Sequence, residues 1–402
     1  MKVLQIFNNW KWTGPAEYAF NLTSMLIKNG IEATFTCGFP PEEAKESLIT
    51  FARERGLIPL VNSNLNKHFH LRKNFFAYQG LVRLITEKKF DIIHTHLTNG
   101  HLVAALAAKK APHNPVLIRT CYESDGGGIR DRFLYKKLTD GIIAVANSTR
   151  RSIIDRCRIT PEKVRFIPAA IDTERFDPKR GLKNNRNKWG IKPEATVLGI
   201  VARIQRHRRF HVIIEAVAKA VKKIPNLKVM VIGRGTNIKE LAIDPVEEMG
   251  LAKYFVFTGY RKDDYVETLS CIDIKVFLVP GSDDSCRAVR EAMALGKPVI
   301  VSKRGMLPEI VDHEVNGLVI DDEPEILAQA IIKLSEDIIF RERLGYNAFK
   351  KAHTQFSLQK QFRKVVDFYE EIMQKKRLFT RKGKVFDLGV KRASRRSKGD
   401  GY

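Results

Sequence analysis

Gly199-Ile200-Val201-Ala202-Arg203-Ile204-Gln205-Arg206-His207-Arg208-Arg209-Phe210 carries the chain out of an apolar, β-rich run, through a turn with four arginines, and into a helix. Residues 196–201 read as a strand, 212–223 as a helix and 228–232 as the next strand. Strand, helix, strand with apolar runs of this kind is the unit of a parallel sheet covered on both faces. Guanidinium forks at a strand end, beside a helix N-terminus, suit a pyrophosphate. A solvated basic loop is the other reading, and the local sequence leaves both open.

The same rhythm extends in both directions. Downstream, strands are expected at 255–258, 275–279, 298–301 and 317–320, with a helix over 287–295. Upstream they are expected at 3–7, 33–37, 91–94, 116–120 and 141–146. A helix over 15–29 places Tyr18, Leu22, Met25 and Leu26 at helical spacing and ends at Asn29-Gly30. Another covers 100–110. The Lys/Arg/Asn-rich stretch 177–193 interrupts the alternation and reads as a linker. The fold class is therefore α/β, with two Rossmann-like domains facing each other across a cleft, at 1–185 and 190–355. A helix at 356–376, striped with Phe362, Val365, Val366, Phe368, Tyr369 and Ile372, is expected to pack, crossing back to the first domain. The basic tail 377–402 is expected to be disordered. Ligands of such sheets bind outside the carboxyl ends of the strands.

Composition bounds the class. The chain has 402 residues, 44% of them hydrophobic, which is enough to bury full cores. Seventy Lys/Arg against 45 Asp/Glu leave a formal charge of +25 and favour an anionic partner. Nucleic acid is not expected, because no helix-turn-helix, zinc or RNA-module signature accompanies that charge. Five scattered cysteines without a C-x-x-C pair argue for a reducing compartment and against a structural zinc site. Residues 1–9 look like a first strand and not a signal peptide. No apolar run approaches the roughly 20 residues of a spanning helix. The expected location is cytoplasmic, with peripheral contact at the inner face of the cytoplasmic membrane as an option that the basic surface allows. Residues 66–78 mix bases with aromatics, as in Lys67, Phe69, Arg72, Lys73, Phe75 and Phe76. Such a surface could rest on anionic lipid headgroups. Equally, the helix could turn its aromatics inward and leave a solvated basic rim.

The stretch Pro280-Gly281-Ser282-Asp283-Asp284-Ser285-Cys286-Arg287-Ala288-Val289-Arg290-Glu291 leads from a small polar loop into a helix whose first amides can meet an anion. Glu291 falls among apolar residues, and ribose hydroxyls would satisfy a carboxylate there. An ordinary surface glutamate is the alternative. Gly233-x-Gly235 after a strand is a weak signal on its own.

Asp283, seven residues, then Glu291-Ala292-Met293-Ala294-Leu295-Gly296-Lys297-Pro298 resembles the signature of the retaining family 4 glycosyltransferases of the GT-B fold. The resemblance continues through residues 203–216, Gly233-x-Gly235, 304–311 and 316–318. In the first half it includes Asp91-Ile92-Ile93-His94-Thr95-His96 and Ala144-Val145-Ala146-Asn147-Ser148. It covers essentially residues 1–376.

The resemblance implies a glycosyltransferase of class EC 2.4, moving a hexosyl or related residue from a nucleotide-sugar donor with retention of configuration and without metal. No cofactor is implied, since the nucleotide sugar is a substrate. It places the catalytic groups at His96 and Asp283. Donor contacts fall at Gly14, Arg203, Arg208, Gly233, Arg261, Cys286, Arg287, Ala288 and Glu291. Glu291 would take the ribose, and Arg203 and Arg208 the diphosphate. Alternation is expected to let only one of His94 and His96 point inward. Departures stand out as well: Asp283 stands where the family has the longer Glu, Asp284-Ser285-Cys286 where it often has Gly-Phe-Gly, and Arg209 where it usually has Gly, and Arg209 is expected to narrow the diphosphate pocket or add charge to it. The acceptor class implied is a membrane-linked envelope glycan or lipopolysaccharide. The alternatives are a nucleotide-sugar epimerase of the same fold, or an inactive homologue that binds polyanions or membranes.

Overall fold

The computed structural model describes residues 1–396 apart from Lys45, Ser63, 123–127, 183–184 and 281–285, with side chains as far as Leu378. Its first sheet is built from β1 (Lys2–Phe7), β2 (Glu32–Gly38), β3 (Leu60–Asn62), β4 (Ile92–Thr95), β5 (Val116–Cys121), β6 (Gly141–Ala144) and β7 (Val164–Phe166). The second contains β8 (Thr196–Val201), β9 (Leu227–Ile232), β10 (Phe255–Gly259), β11 (Ile274–Phe277), β12 (Val299–Ser302) and β13 (Gly317–Ile320). The orders are β3-β2-β1-β4-β5-β6-β7 and β10-β9-β8-β11-β12-β13. All pairs are parallel. Each sheet therefore reverses direction once, between β1 and β4 and between β8 and β11. A crevice for ligands opens beside the strand ends at such a reversal.

Burial on both faces explains the β-branched runs. On β9, Val229 and Val231 join one apolar layer, while Met230 and Ile232 join the other. The edge strands β3 and β7 were not foreseen. Three residues each are too few to display a period of two.

Two compact units result: Met1–Ala144, Thr149–Ile167 and the chain from Phe362 in one, Val145–Ser148 and Pro168–Gln361 in the other. The second unit begins well before the boundary at 185–190 expected from composition. Ile171 and Phe176 just before the basic stretch, and Ile191 within it, are core residues of the second unit. Arg186 locks the stretch down, donating to Cys271 O at 3.0 Å and pairing with Asp273 at 2.7 Å.

The last helix, Leu358–Arg396, packs on the first sheet. A Cβ on Gly141 would lie 2.9 Å from Phe368 Cζ, so glycine makes room for that ring. Lys376 Nζ meets Asp140 at 2.7 Å. The helix is assigned as far as Arg396.

Candidate active site

The second unit gathers its candidates at the carboxyl ends of its strands. Arg203 is exposed just beyond β8. Arg208 follows in the same turn, half-buried, and donates to Val279 O at 2.6 Å. That bond ties the turn after β8 to the end of β11, across the reversal point. Gly233 sits at φ +153°, where a Cβ would meet Ala202 O at 2.0 Å. A Cβ on Gly235 would meet Ile204 O at 2.3 Å. Both glycines therefore let the ends of β8 and β9 close on each other. Arg261 grips Asp264 with both ends of its guanidinium and lies over the Trp189 ring at 5.4 Å. The pairing holds the Asp264 carboxyl down at about 2.

The helix Arg287–Ala294 starts at the other side of the reversal point. Its second turn carries Glu291, only 2% exposed. Tyr265 Oη donates to Glu291 Oε2 at 2.6 Å, and Arg287 Nε lies 3.0 Å from Oε1. The ordinary-surface-glutamate reading is thus excluded. Asp283 lies outside the described residues.

Lys275 was missed by sequence reasoning. It is fully buried on β11, with Nζ 3.4 Å from Gly199 O and 5.7 Å from the Phe277 ring centre. Burial pushes its ammonium down to about 7, against the opposing pull of Glu291. The signal was present, since a lone lysine interrupts Ile274-Lys275-Val276-Phe277. The unfolded chain holds the lysine proton up to about pH 10.4, and the folded chain only below about 7. Stability from this group therefore rises with pH between the two values. Lys275→Met is expected to stabilise the second unit by on the order of 3 kcal/mol at pH 7 and by much less at pH 9.5. Urea unfolding at both pH values checks this, and equal effects at the two would refute it.

Two departures from family glycine, Arg209 and Cys286, fall at left-handed backbone, and Asp284 lies outside the described residues. Arg209 has φ +54° and Cys286 φ +39°. Glycine adopts this region freely, and other residues lose about 1 kcal/mol there. The expectation for Arg209 is corrected in one respect. Its charge is taken up by Asp322, with Nε at 2.8 Å and a further bond from Nη2 to Asp322 O at 3.1 Å. Arg304 holds the same carboxylate at 2.8 Å.

In the first unit, Gly14 opens the helix Gly14–Lys28, and Thr13 caps it by accepting from Ala16 N. His94 and His96 are both fully buried, with ring centres 4.4 Å apart. The expectation that only one could point inward is corrected. Alternation separates neighbours along a strand, whereas residues two apart share a face. His96 Nε2 donates to Gln5 Oε1 at 2.7 Å, and Gln5 Nε2 donates to Tyr369 Oη at 3.1 Å. Tyr369 Oη lies 2.6 Å from His94 Nδ1, and Thr120 Oγ1 lies 2.7 Å from His94 Nε2. Tyr122 Oη meets His96 Nδ1 at 2.8 Å. Every ring nitrogen of the pair is therefore engaged. Burial, reinforced by the Arg119 charge, pushes His94 down to about 3 and His96 well below its ordinary value.

Residues 182–351 match the family Glycosyl transferases group 1, and residues 12–175 match Glycosyltransferase Family 4. The chain belongs to these glycosyltransferases. An uncharacterized glycosyltransferase of Methanocaldococcus jannaschii is 25% identical over 380 residues, covering 90% of this chain and 95% of the relative. The Escherichia coli UDP-Gal:alpha-D-GlcNAc-diphosphoundecaprenol alpha-1,3-galactosyltransferase is 24% identical over 327 residues, covering 78% and 83%. Among solved structures, Anabaena HepE in complex with UDP superposes with a TM-score of 0.77 at 18% identity, over 92% of this chain and 100% of HepE. The GT-B fold follows from these neighbours and the two parallel sheets.

One surface of the glycosyltransferase differs from the inward-packing alternative. The helix Leu71–Lys88 buries Asn74, Ala77, Leu81 and Ile85. It leaves Leu71, Phe75 and Phe76 exposed at 75%, 55% and 48%. Among the described residues, no helix is long and apolar enough to cross a membrane.

Proposed function

We propose that this glycosyltransferase moves a hexosyl or related residue from a nucleotide-sugar donor to a membrane-linked glycan acceptor, with retention of configuration and without a metal ion. The observation that carries the donor half is Glu291, a buried carboxylate held by Tyr265 and Arg287 beside the reversal point of the second sheet. Its remaining acceptor capacity suits ribose hydroxyls. Arg203, Arg208 and the first amides of the helix Arg287–Ala294 would take the negative charge that grows on the departing diphosphate. That charge needs no metal if these groups are preorganised around it. A UDP-sugar is the first donor to try, given the UDP in HepE and the UDP-Gal named for the Escherichia coli relative. The diphosphoundecaprenol in that relative's name supports a lipid-carried acceptor, met at the inner face of the cytoplasmic membrane.

His96 would act through position and neutral polarity and not as a proton donor near neutral pH, since burial disfavours its charged form. Asp283 would complete the sugar contacts.

A thermal-shift panel with UDP-, GDP-, ADP- and CMP-sugars, with and without EDTA, tests the donor half. One nucleotide class at 100 times its dissociation constant should stabilise the protein by about 2.7 kcal/mol. The shift should survive EDTA. Silence from all four classes, or a shift lost in EDTA, would overturn the corresponding part of the reading.

A further inference from the structure

The helix Thr98–Lys110 leaves β4 just after His96, beside the reversal point of the first sheet. The first amides of a helix have no partner within it. Leu97, at the N-cap, supplies no side-chain bond to them. Partial positive charge is therefore left uncapped at this end.

Arg119, on β5, comes to the same point. It is only 5% exposed, and its Nη2 donates to Thr98 Oγ1 at 3.2 Å. Its Nε and Nη1 are buried and have no hydrogen-bond partner among the described residues. No carboxylate there pairs with it, and Asp131 lies against Arg130 instead, at 3.9 Å. Tyr135 and Cys121 adjoin the guanidinium and meet each other at 3.5 Å. Burial pushes the Tyr135 hydroxyl and the Cys121 thiol up from their ordinary values, so neither brings negative charge. A buried cation with idle donors is strongly disfavoured until something supplies the counter-charge.

A phosphate fits this vacancy in charge. Helix N-terminal amides and guanidinium groups are its usual partners, and its several oxygens can serve both at once. Thr98 is half-buried, so the amide end reaches the surface while the guanidinium lies behind it. The donor diphosphate is already provided for by Arg203 and Arg208 in the second unit. We infer that the amide end of the helix Thr98–Lys110 and Arg119 together bind a phosphate of the acceptor. The inference rests on the reading above for there being an acceptor, and it adds the anionic group by which the first unit holds it.

The test is thermal unfolding of the full chain in inorganic phosphate and in geranyl diphosphate, a soluble prenyl ester, each against chloride at equal ionic strength. Both anions should stabilise wild type. Both should still stabilise a variant with Arg203→Ala and Arg208→Ala, which lacks the donor-side cations. Arg119→Met should weaken the apparent affinity about a hundredfold, because two charge-assisted bonds are lost. Methionine is apolar and removes an uncompensated charge, so in chloride this variant should unfold no lower than wild type. Thr98→Val should weaken the affinity about three- to tenfold by freeing the guanidinium from its anchor. The inference is overturned if neither anion stabilises wild type, or if only the Arg203/Arg208 variant loses the effect. It is also overturned if the effect is undiminished in Arg119→Met or, should that variant not fold, in Thr98→Val. Stabilisation by inorganic phosphate alone would make the ligand a free anion and overturn its assignment to the acceptor. No nucleotide sugar is present in this experiment, so its failure leaves the donor panel untouched, and the reverse also holds.

Discussion

Glu291→Gln is expected to weaken binding of the nucleotide-sugar donor by about 30- to 100-fold, with the fold retained. The carboxylate is buried and already accepts from Tyr265 at 2.6 Å. Glutamine keeps the volume and an oxygen for that hydroxyl. What disappears is the charge in the proposed bonds to the ribose. Charge-assisted hydrogen bonds contribute about 1.5–3 kcal/mol and neutral ones about 0.5–1.5, so two such bonds lose roughly 2–3 kcal/mol. Glu291→Ala is a blunter tool. It would strand the Tyr265 hydroxyl and leave Arg287 and the buried Lys275 without their counter-charge, at a further cost of about 2–3 kcal/mol in stability. Calorimetric titration of the glutamine variant with the donor found in the panel decides the matter. Unchanged affinity in a folded Glu291→Gln protein would remove Glu291 from the donor site.

The second large effect is acid lability of the first unit. His94, His96 and His101 are buried and neutral, with folded pKa values pushed far below the unfolded value of about 6.5. The cause is chiefly desolvation, with the Arg119 charge adding to it. Below pH 6.5 the unfolded chain binds these protons and the folded chain does not, so stability falls as pH falls. Each histidine contributes a slope of about 1.4 kcal/mol per pH unit. Together the three should remove about 6 kcal/mol between pH 7.5 and pH 5, comparable to the whole stability of a typical domain. Urea unfolding at those two pH values measures the loss. His101→Gln should flatten the dependence by about a third, because that ring only bridges Thr95 and Thr139, at 2.7 and 2.8 Å. A profile flat down to pH 5 would refute the buried-neutral assignment.

Much of this was legible in residue order. Apolar β-rich runs spaced by helices placed eleven of the thirteen strands among the described residues, and the two missed ones are three-residue edges. Glu291 could be singled out because a carboxylate inside Ala-Met-Ala surroundings demands a partner. The shared face of His94 and His96 was misread, since only one ring was expected inward whereas a spacing of two along a strand places both on one face. The exposed state of Phe75 and Phe76 was not legible. Leu71–Lys88 has apolar residues on more than one side, and only its packing decides which side is buried.

Local patterns by themselves determined the two parallel sheets, their helices and the family, because backbone preference and burial period are written within ten or so neighbouring residues. Tertiary structure alone decided the partnerships. Gln5 and Tyr369 meet across 364 positions, and Arg209 and Asp322 across 113. Lys275 comes under the influence of Glu291 only because β11 is central and the helix Arg287–Ala294 packs beside it. Such pairings follow from strand order and close packing, which bring together side chains that no local period relates.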